Sequence, residues 1–259
     1  MRTIGLLLSL LAFMFPAFAE QRSQQPVISI IIDDMGDRAR EDRRAVALPG
    51  PVACAFLPFT PHAERLAQAA YDAGKEVMLH LPMQAIGRDH GRGGVDMDMH
   101  REQFFAVVAA GLDSIPHVSG VNNHMGSLLT RHPGHMRWLM EKLVSRDEEL
   151  FFVDSRTTAQ TVAEQLALEF GVPVARRHVF LDHDPRPEAI DAQFDLLLRL
   201  ARQRGRALAI GHPYPATLDV LEARLARLDE EQVRLIPVRE FIALDEAERR
   251  LVGVEYHRD

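Results

Sequence analysis

Apolar runs rich in β-branched residues alternate along the chain with segments in which apolar residues recur at helical spacing. The nearly continuous run at 27–32 is typical of a strand buried on both faces of a parallel sheet. The strand-like runs lie at 27–32, 52–57, 76–81, 118–122, 150–154, 172–181, 207–211 and 234–238. The helical segments lie at 61–73, 101–112, 133–144, 158–170, 187–204 and 216–228. This alternation predicts βαβ units in an α/β fold, and their number favours a closed or nearly closed parallel barrel.

The residues at 1–19 have the pattern of a secretory signal peptide. Arg2 precedes an apolar segment at 4–18, and Ala17-Phe18-Ala19 is a cleavage signal. We expect export across the inner membrane to the periplasm, with no membrane-spanning segment after cleavage; an uncleaved anchor is the alternative. The expected division of the chain is a signal peptide at 1–19, a polar linker at 20–25, one barrel domain at 26–244 and a charged tail at 245–259.

Composition narrows the class of protein further. The chain of 259 residues has a formal net charge of −7, and an acidic chain argues against nucleic acid as the partner. Its single cysteine, Cys54, excludes an intrachain disulfide. Because Cys54 lies within an apolar run, we expect it to be buried like a small hydrophobic residue.

Polar residues with catalytic or metal-binding chemistry follow several of the predicted strands. Because the carboxyl ends of parallel strands lie on one side of a barrel, these side chains are expected to converge on one cavity. The alternative for a single histidine is a hydrogen-bonded structural role, and Asp34 or Asp37 could simply cap a helix. The residues at the predicted strand ends are Asp33, Asp34, His80, His124, Asp154, Arg156, Asp182 and His212.

The chemistry of this set is that of a metal-dependent hydrolase. One carboxylate and two imidazoles suffice for a catalytic zinc site with open coordination positions. A second carboxylate can accept the proton of an activated water, and a histidine on the opposite side can protonate a leaving amine. The sequence contains no G-x-S-x-G, H-E-x-x-H or P-loop motif, so it does not support the enzyme classes that those motifs mark.

Four motifs resemble those of the divergent polysaccharide deacetylases, a remote branch of the polysaccharide deacetylase superfamily. They are Ile-Asp-Asp-Met-Gly at 32–36, His-Leu-Pro-Met at 80–83, Asn-Asn-His-Met-Gly-Ser at 122–127 and Phe-Leu-Asp at 180–182. The G-x-E-x-x-x-H motif of the wider superfamily is matched at 74–80, and its last motif is similar to Gly-His at 211–212. The resemblance covers residues 26–244.

The resemblance implies a distorted parallel (β/α) barrel of about seven strands and a divalent metal, most often Zn²⁺. It also implies a hydrolase that removes N-acetyl groups from an amino-sugar polymer of the cell envelope. The partner would then be an acetylated glycan or a peptidoglycan-like polymer. By position, Asp33 would be the general base and His212 the general acid. Asp34 and His80 would be metal ligands.

One departure from the superfamily pattern concerns the second metal histidine, whose place is taken by Gln84. We infer that His124 supplies the missing imidazole, with Gln84, or a water that it holds, as a subsidiary candidate. The backbone N–H of Met125 would then face the oxyanion. The remaining candidates for binding substrate or the oxyanion are Asn123, Asp154, Arg156 and Asp182.

Two functions are therefore compatible with the sequence. The first is the metal-dependent deacetylase, and the second is a catalytically weak or inactive deacetylase-like protein that binds glycan. Asp33 and His212 favour the enzyme, because neither is needed merely to hold a metal. Gln84 favours the binding protein, because it replaces a histidine of the superfamily's metal site.

Overall fold

The computed structural model describes residues 25–251. The predicted signal peptide at 1–19 and the last part of the charged tail lie outside these residues. Within the described residues, no helix has the length and apolar character needed to cross a bilayer. The strands are β1 (Val27–Met35), β2 (Ala53–Phe56), β3 (Val77–Met83), β4 (Val118–Met125), β5 (Phe151–Asp154), β6 (Val174–Arg176), β7 (Val179–Phe180), β8 (Arg206–Gly211) and β9 (Arg234–Leu235). The α-helices are α1 (Ala39–Val46), α2 (Ala63–Asp72), α3 (Arg101–Asp113), α4 (Pro133–Val144), α5 (Ala163–Glu169), α6 (Pro187–Arg204), α7 (Pro215–Leu225) and α8 (Val238–Leu251).

The strands form one sheet in which the paired strands run parallel. Their order is β6-β5-β4-β3-β2-β1-β8-β7, and β9 pairs with the first residues of β1. The apolar β1 is almost completely buried and pairs with β2, β8 and β9, as its central position requires. The predicted α/β class and parallel, barrel-like sheet are confirmed, with eight strands in the main order instead of about seven.

The two end strands of the sheet, β6 and β7, are consecutive in the chain. Between them, the N–H of Arg177 donates to the carbonyl of Asp154 in β5, and the N–H of His178 donates to the carbonyl of Leu208 in β8, both at 2.9 Å. The single strand predicted at 172–181 is therefore wrong: the chain leaves the β5 side after β6 and joins the β8 side at β7. The link of two residues, Arg177 and His178, narrows the gap between the end strands β6 and β7. We call this gap the seam of the incompletely closed barrel.

Apolar cores lie on both faces of the curled sheet. The outer core lies between the strands and the helices, and it includes Cys54, which is buried as predicted. The inner core fills the barrel around Ile31, Met78 and Phe151, and Phe241 of α8 packs against it. On this inner face, Asp33 comes two residues after Ile31 and His80 comes two residues after Met78, so polar residues replace the apolar core toward the carboxyl end of the barrel.

Two helices differ from the sequence prediction. Helix α1 was not predicted, because it buries only Asp42 and Ala45 and so shows no apolar periodicity. Helix α8 begins inside the strand predicted at 234–238, of which only the first two residues are extended. It also continues past the expected domain boundary, and Arg206 of β8 forms an ion pair with Asp245 in its middle.

Candidate active site

Asp33 and Asp34 are adjacent in β1, yet both approach the same side chains. Successive residues of a regular strand point to opposite faces, as Ile31 in the inner core and Ile32 in the outer core do. Asp34 breaks this alternation, because its φ is 55° and the β1–β2 register shifts between Ile32 and Met35. A left-handed non-glycine residue costs roughly 1–3 kcal/mol and is found where the surrounding structure holds it. The irregularity turns both carboxylates toward the carboxyl end of the barrel.

Asp34, His80 and His124 bring three potential metal-binding atoms together. Oδ1 of Asp34 lies 3.2 Å from Nε2 of His80 and 2.9 Å from Nδ1 of His124, and the two nitrogens are 3.2 Å apart. Oxygen and nitrogen ligands about 2.0–2.2 Å from one zinc ion lie at similar mutual distances. Oδ1 of Asp34 is buried and accepts no hydrogen bond of good geometry from the described residues, so its lone pairs are available to a cation. The donor set therefore fits a divalent metal.

Asn122 connects the second of these ligands to the neighbouring carboxylate. Oδ1 of Asn122 lies 2.8 Å from Nδ1 of His80, and its Nδ2 donates to Oδ1 of Asp33 at 2.7 Å. The first contact favours a proton on Nδ1 of His80, which leaves the lone pair of Nε2 directed at Asp34. His80 itself lies in the middle of β3, not at its end as predicted, and is almost completely buried.

The environments of the two acids shift their pKa values in opposite directions. Burial raises the pKa of Asp33, and the opposing effects of His80, His212 and Asn122 do not overcome it. Burial also raises the pKa of Asp34, but the neighbouring His124 and His80 outweigh this effect and hold it well below its usual value. Such a divergence is typical of two carboxylates with different tasks: a proton acceptor and a permanently ionised group.

His212 lies on the other side of Asp34 and is held by Asp182. The backbone N–H of His212 donates to Oδ2 of Asp182 at 2.6 Å, and its Nδ1 is 2.9 Å from Oδ1. Burial opposes the charged imidazole, but Asp182 outweighs this effect and raises the pKa of His212 to about 9. Nε2 of His212 is 3.7 Å from Oδ2 of Asp34. The raised pKa favours the protonated form of His212, in which Nε2 can donate a proton toward the side of Asp34.

This arrangement changes the expected role of Asp182. The sequence prediction placed Asp182 among the residues that bind substrate or the oxyanion. Instead, it is buried behind His212, and Oδ2 also accepts a hydrogen bond from the hydroxyl of Thr217 at 2.8 Å. Asp182 thus orients His212.

A cavity of about 500 Å³ opens above these residues, a size suited to a small ligand. It brings together residues that lie in, or shortly after, six different strands and one residue of the link between β6 and β7. The loop after β3 contributes Arg88 to its wall. The lining residues are Asp33, His80, Arg88, Asn123, His124, Met125, Ser155, Arg156, Thr157, Arg177, Phe180, His183, Ile210 and His212.

Asn123 and Met125, both predicted to bind substrate or the oxyanion, line this cavity. The φ of Met125 is 53°, and its carbonyl accepts hydrogen bonds from Nδ2 of Asn123 at 2.7 Å and the hydroxyl of Thr157 at 2.8 Å. Oδ1 of Asn123 accepts a hydrogen bond from the N–H of Ser155 at 2.9 Å. Both ends of the Asn123 amide therefore hold backbone groups, one at Met125 and one at Ser155, and the two bonds to the Met125 carbonyl fix the peptide that follows Met125.

The other predicted residues divide into one that lines the cavity and two that do not. Arg156 lines it. Asp154 is buried, and it accepts hydrogen bonds from the N–H of Arg156 at 2.8 Å and the hydroxyl of Thr161 at 2.9 Å. Oε1 of Gln84 accepts a hydrogen bond from the N–H of Met97 at 2.8 Å, so this side chain secures the loop after β3. Asp154 and Gln84 thus have structural contacts in place of the predicted ones.

Asn122 and Arg177 were not predicted. Asn122 has the same parity in β4 as His124, and this alternation was the available signal for it. Arg177 follows β6, where the sequence suggested the middle of an apolar strand. Its Nε donates to the carbonyl of Ser155 at 2.6 Å, and its guanidinium lies 4.8 Å from the ring centre of Phe180.

Comparison with known sequences gives matches over most of the chain. The family model described as divergent polysaccharide deacetylase matches residues 30–242. An uncharacterized protein of Haemophilus influenzae is 35% identical over 232 residues, which cover 85% of this chain and 82% of that protein.

Comparison with solved structures supports the same fold. The uncharacterized protein ATU2773 from Agrobacterium tumefaciens C58 has a TM-score of 0.80 at 19% identity, covering 84% of this chain and 89% of that one. The peptidoglycan deacetylase PdaC from Bacillus subtilis has a TM-score of 0.52 at 12% identity, covering 91% of this chain and 99% of that one. At these identities the likeness concerns the fold.

Proposed function

Since this chain belongs to the divergent polysaccharide deacetylase family, we propose that it is an exported metal-dependent hydrolase that removes N-acetyl groups from an amino-sugar polymer of the cell envelope. The observation that carries the proposal is that three potential metal-binding side chains, a buried carboxylate and a histidine of raised pKa lie together at the carboxyl end of the barrel. The fold shared with the peptidoglycan deacetylase PdaC supports an acetylated glycan or peptidoglycan-like polymer as substrate.

The residues that would hold the metal are Asp34, His80 and His124. When bound, a divalent ion, with Zn²⁺ the best match to one carboxylate and two imidazoles, supplies Lewis acidity that activates water and polarises the amide carbonyl. Asn122 keeps His80 in the tautomer that ligation requires. The N–H of Met125 would donate to the developing oxyanion.

Asp33 and His212 move the protons. Asp33 accepts a proton from the water that attacks the amide carbon, and its burial, which raises its pKa, suits a group that must gain a proton. His212 donates the proton on Nε2 to the departing nitrogen, while Asp182 retains its contact with Nδ1 and stabilises the ring orientation. The C–N bond breaks, and the products are acetate and a free amine.

A glycan-binding protein with little or no catalysis is the second candidate. Gln84 favours it, because this residue secures a loop where the superfamily has a metal histidine. On this alternative the metal and the glycan would still bind, and no acetate would be released.

The first experiment measures metal content and acetate release in His80→Ala and His124→Ala. The wild type should hold about one zinc per chain, and each variant should lose most of it, since two protein ligands seldom hold a catalytic ion. His117→Asn is the matched control, because His117 is exposed, contacts Gln68 and keeps a left-handed backbone that asparagine tolerates. Unchanged zinc content in both variants would refute the ligand assignment. Zinc binding without acetate release from any acetylated envelope glycan would favour the second candidate.

Export is the part of the proposal that rests on the leader at 1–19 alone. We expect cleavage after Ala19 when the full chain is expressed in a bacterium with a periplasm. Mass spectrometry of the periplasmic protein should give a chain that begins at Glu20, and an intact Met1 would contradict cleavage.

A further inference from the structure

One wall of the cavity carries positive charge that the proposed mechanism does not use. Arg88, Arg156 and Arg177 line the cavity, and we call the side formed by the neighbouring Arg156 and Arg177 the arginine wall. Other arginines, such as Arg44 and Arg101, pair with carboxylates on the surface. Within the described part of the chain, the arginine wall forms no ion pair with a carboxylate. Three cations in one cavity that have no ion-pair partner among the described residues contrast with the formal net charge of −7 of the chain.

Arg177 is held rigidly, and one side of its guanidinium remains available to bind a ligand. Nε donates to the carbonyl of Ser155 at 2.6 Å, Nη2 donates to the carbonyl of Arg156 at 2.9 Å, and Phe180 supports the guanidinium plane at 4.8 Å. These contacts leave Nη1 without an assigned partner among the described residues. Because folding has already immobilised the side chain, binding an anion would cost little further entropy.

Arg156 stands beside Arg177 in a strained backbone conformation. Its φ is 49°, and Oδ1 of Asp154 stabilises this turn by accepting the hydrogen bond of the Arg156 N–H. Burial lowers the pKa of Arg177; Asp33 opposes this effect and Arg156 adds to it. Both guanidinium groups nevertheless stay charged, since arginine is not deprotonated in proteins. An anion bound by both guanidinium groups would reduce the repulsion between them. It would also explain why the strained backbone of Arg156 is kept.

The position of the arginine wall places it opposite the reacting group. The metal-binding side chains come from β1, β3 and β4, and His212 follows β8. Arg156 and Arg177 follow β5 and β6, and so they occupy the part of the rim between His124 and His212. An N-acetyl group that reaches the metal-binding side chains would leave another substituent of the same sugar, or of its neighbour, against this wall.

We propose that the substrate is an amino sugar that carries a carboxylate, and that Arg156 and Arg177 bind this carboxylate while the N-acetyl group lies at the metal-binding residues. This inference rests on the proposed function for the identity of the reacting group. A guanidinium binds a carboxylate through two parallel hydrogen bonds, which give both affinity and orientation. A neutral N-acetylated sugar leaves these cations unpaired, so it is expected to bind less well.

The test measures binding by calorimetry to the full wild-type chain loaded with zinc. The ligands are N-acetylmuramic acid, whose carboxylate is on a lactyl ether, and N-acetylglucosaminuronic acid, whose carboxylate is on the ring. The methyl ester of each acid keeps its shape and removes its charge. We expect at least one of the acids to bind roughly tenfold more tightly than its ester, and the one that does so identifies the position of the carboxylate.

Two variants and one control locate the effect. Arg156→Gln should reduce the affinity for the preferred acid roughly tenfold and leave that of its ester unchanged. Arg88→Gln should produce a smaller reduction, because Arg88 is exposed in the loop after β3. Arg92→Gln removes a charge from the same loop, where Arg92 packs on Phe59, and should have no effect. Neither of the first two residues supports the barrel seam, so both variants should fold.

The outcomes separate this inference from the proposed function. Equal affinities for both acids and their esters, or equal losses in Arg156→Gln and Arg92→Gln, would overturn the carboxylate site even if neutral glycans release acetate. A preference for an acid that disappears in Arg156→Gln would support the site even if no ligand is hydrolysed, since calorimetry does not depend on turnover.

Discussion

Asp33 and Asp34 are chemically identical residues that a single left-handed torsion angle separates into two environments. Asp33 keeps the inward direction of the strand and lies buried beside Asn122, whereas Asp34 leaves the strand pattern and meets the imidazoles of His80 and His124. The sequence indicates that two acids end a buried strand. It does not indicate the left-handed φ of Asp34, which the β1–β2 register and the turn after β1 impose.

Replacement of each acid by asparagine should therefore have a different effect. Asp33→Asn should keep the metal and reduce acetate release by roughly a hundredfold or more, because asparagine cannot accept the proton. Asp34→Asn should weaken metal binding first, with activity lost as a consequence. Metal content and acetate release, measured side by side, check both expectations. If the pair merely capped a helix, both variants would be nearly silent, because asparagine is a competent cap.

Substitution of Asn122 tests its role as the hydrogen-bond partner of His80 and Asp33. Asn122→Ala removes the acceptor for Nδ1 of His80 and the donor to Asp33, so we expect a 10–100-fold loss of zinc affinity, about the range for lost partners of metal ligands. Competition with a chromogenic chelator measures this affinity. Ser119→Ala is the control in the same strand, since Ser119 bonds to the carbonyl of Val77, far from the cavity. An Asn122→Ala protein with wild-type zinc affinity would contradict the role given to Asn122.

At the scale of elements, the sequence predicts most strands and helices but not the irregular places that complete the site. The run at 172–181 looks like one strand, because Val172, Val174 and Val179 have the same apolar character on both sides of the seam. The bend between them is set by the distance that the chain must cross to reach β8. That bend places Arg177 at the cavity. The strand break and this cavity residue both follow from the same tertiary constraint, so the sequence pattern indicated neither.

The turn after β1 is the element that positions Asp34, and Gly36 is its critical residue. Gly36 has a φ of 119°, and a Cβ there would collide with the hydroxyl of Thr60. Gly36→Ala should lower the free energy of unfolding by about 2–4 kcal/mol and weaken zinc binding through a displaced Asp34. Gly74→Ala is the matched control, because Gly74 also has a positive φ but open space around it, and it should cost about 1 kcal/mol. Equal thermal stability and zinc affinity in the two variants would contradict this role of the turn.

At the scale of the whole molecule, an acidic protein encloses a cavity that has the arginine wall on one side and the pair Asp33 and Asp34 at its base. The family and the parallel barrel could be predicted from motifs and strand–helix alternation, and both are confirmed. The hydrogen-bond partners of the polar residues could not be predicted. Asp154 ends β5 and Asp182 follows β7, and only their tertiary contacts direct each of them away from the cavity.

The central claim is that Asp34, His80 and His124 hold a metal that the chain uses for hydrolysis. The most direct measurement is a titration of the metal-free protein with zinc while acetate release from an N-acetylated amino-sugar oligomer is followed. The account predicts no release without zinc, a rise with each addition and a plateau at about one zinc per chain. Release that does not depend on zinc, or no release at saturating zinc from any acetylated envelope glycan, would contradict it.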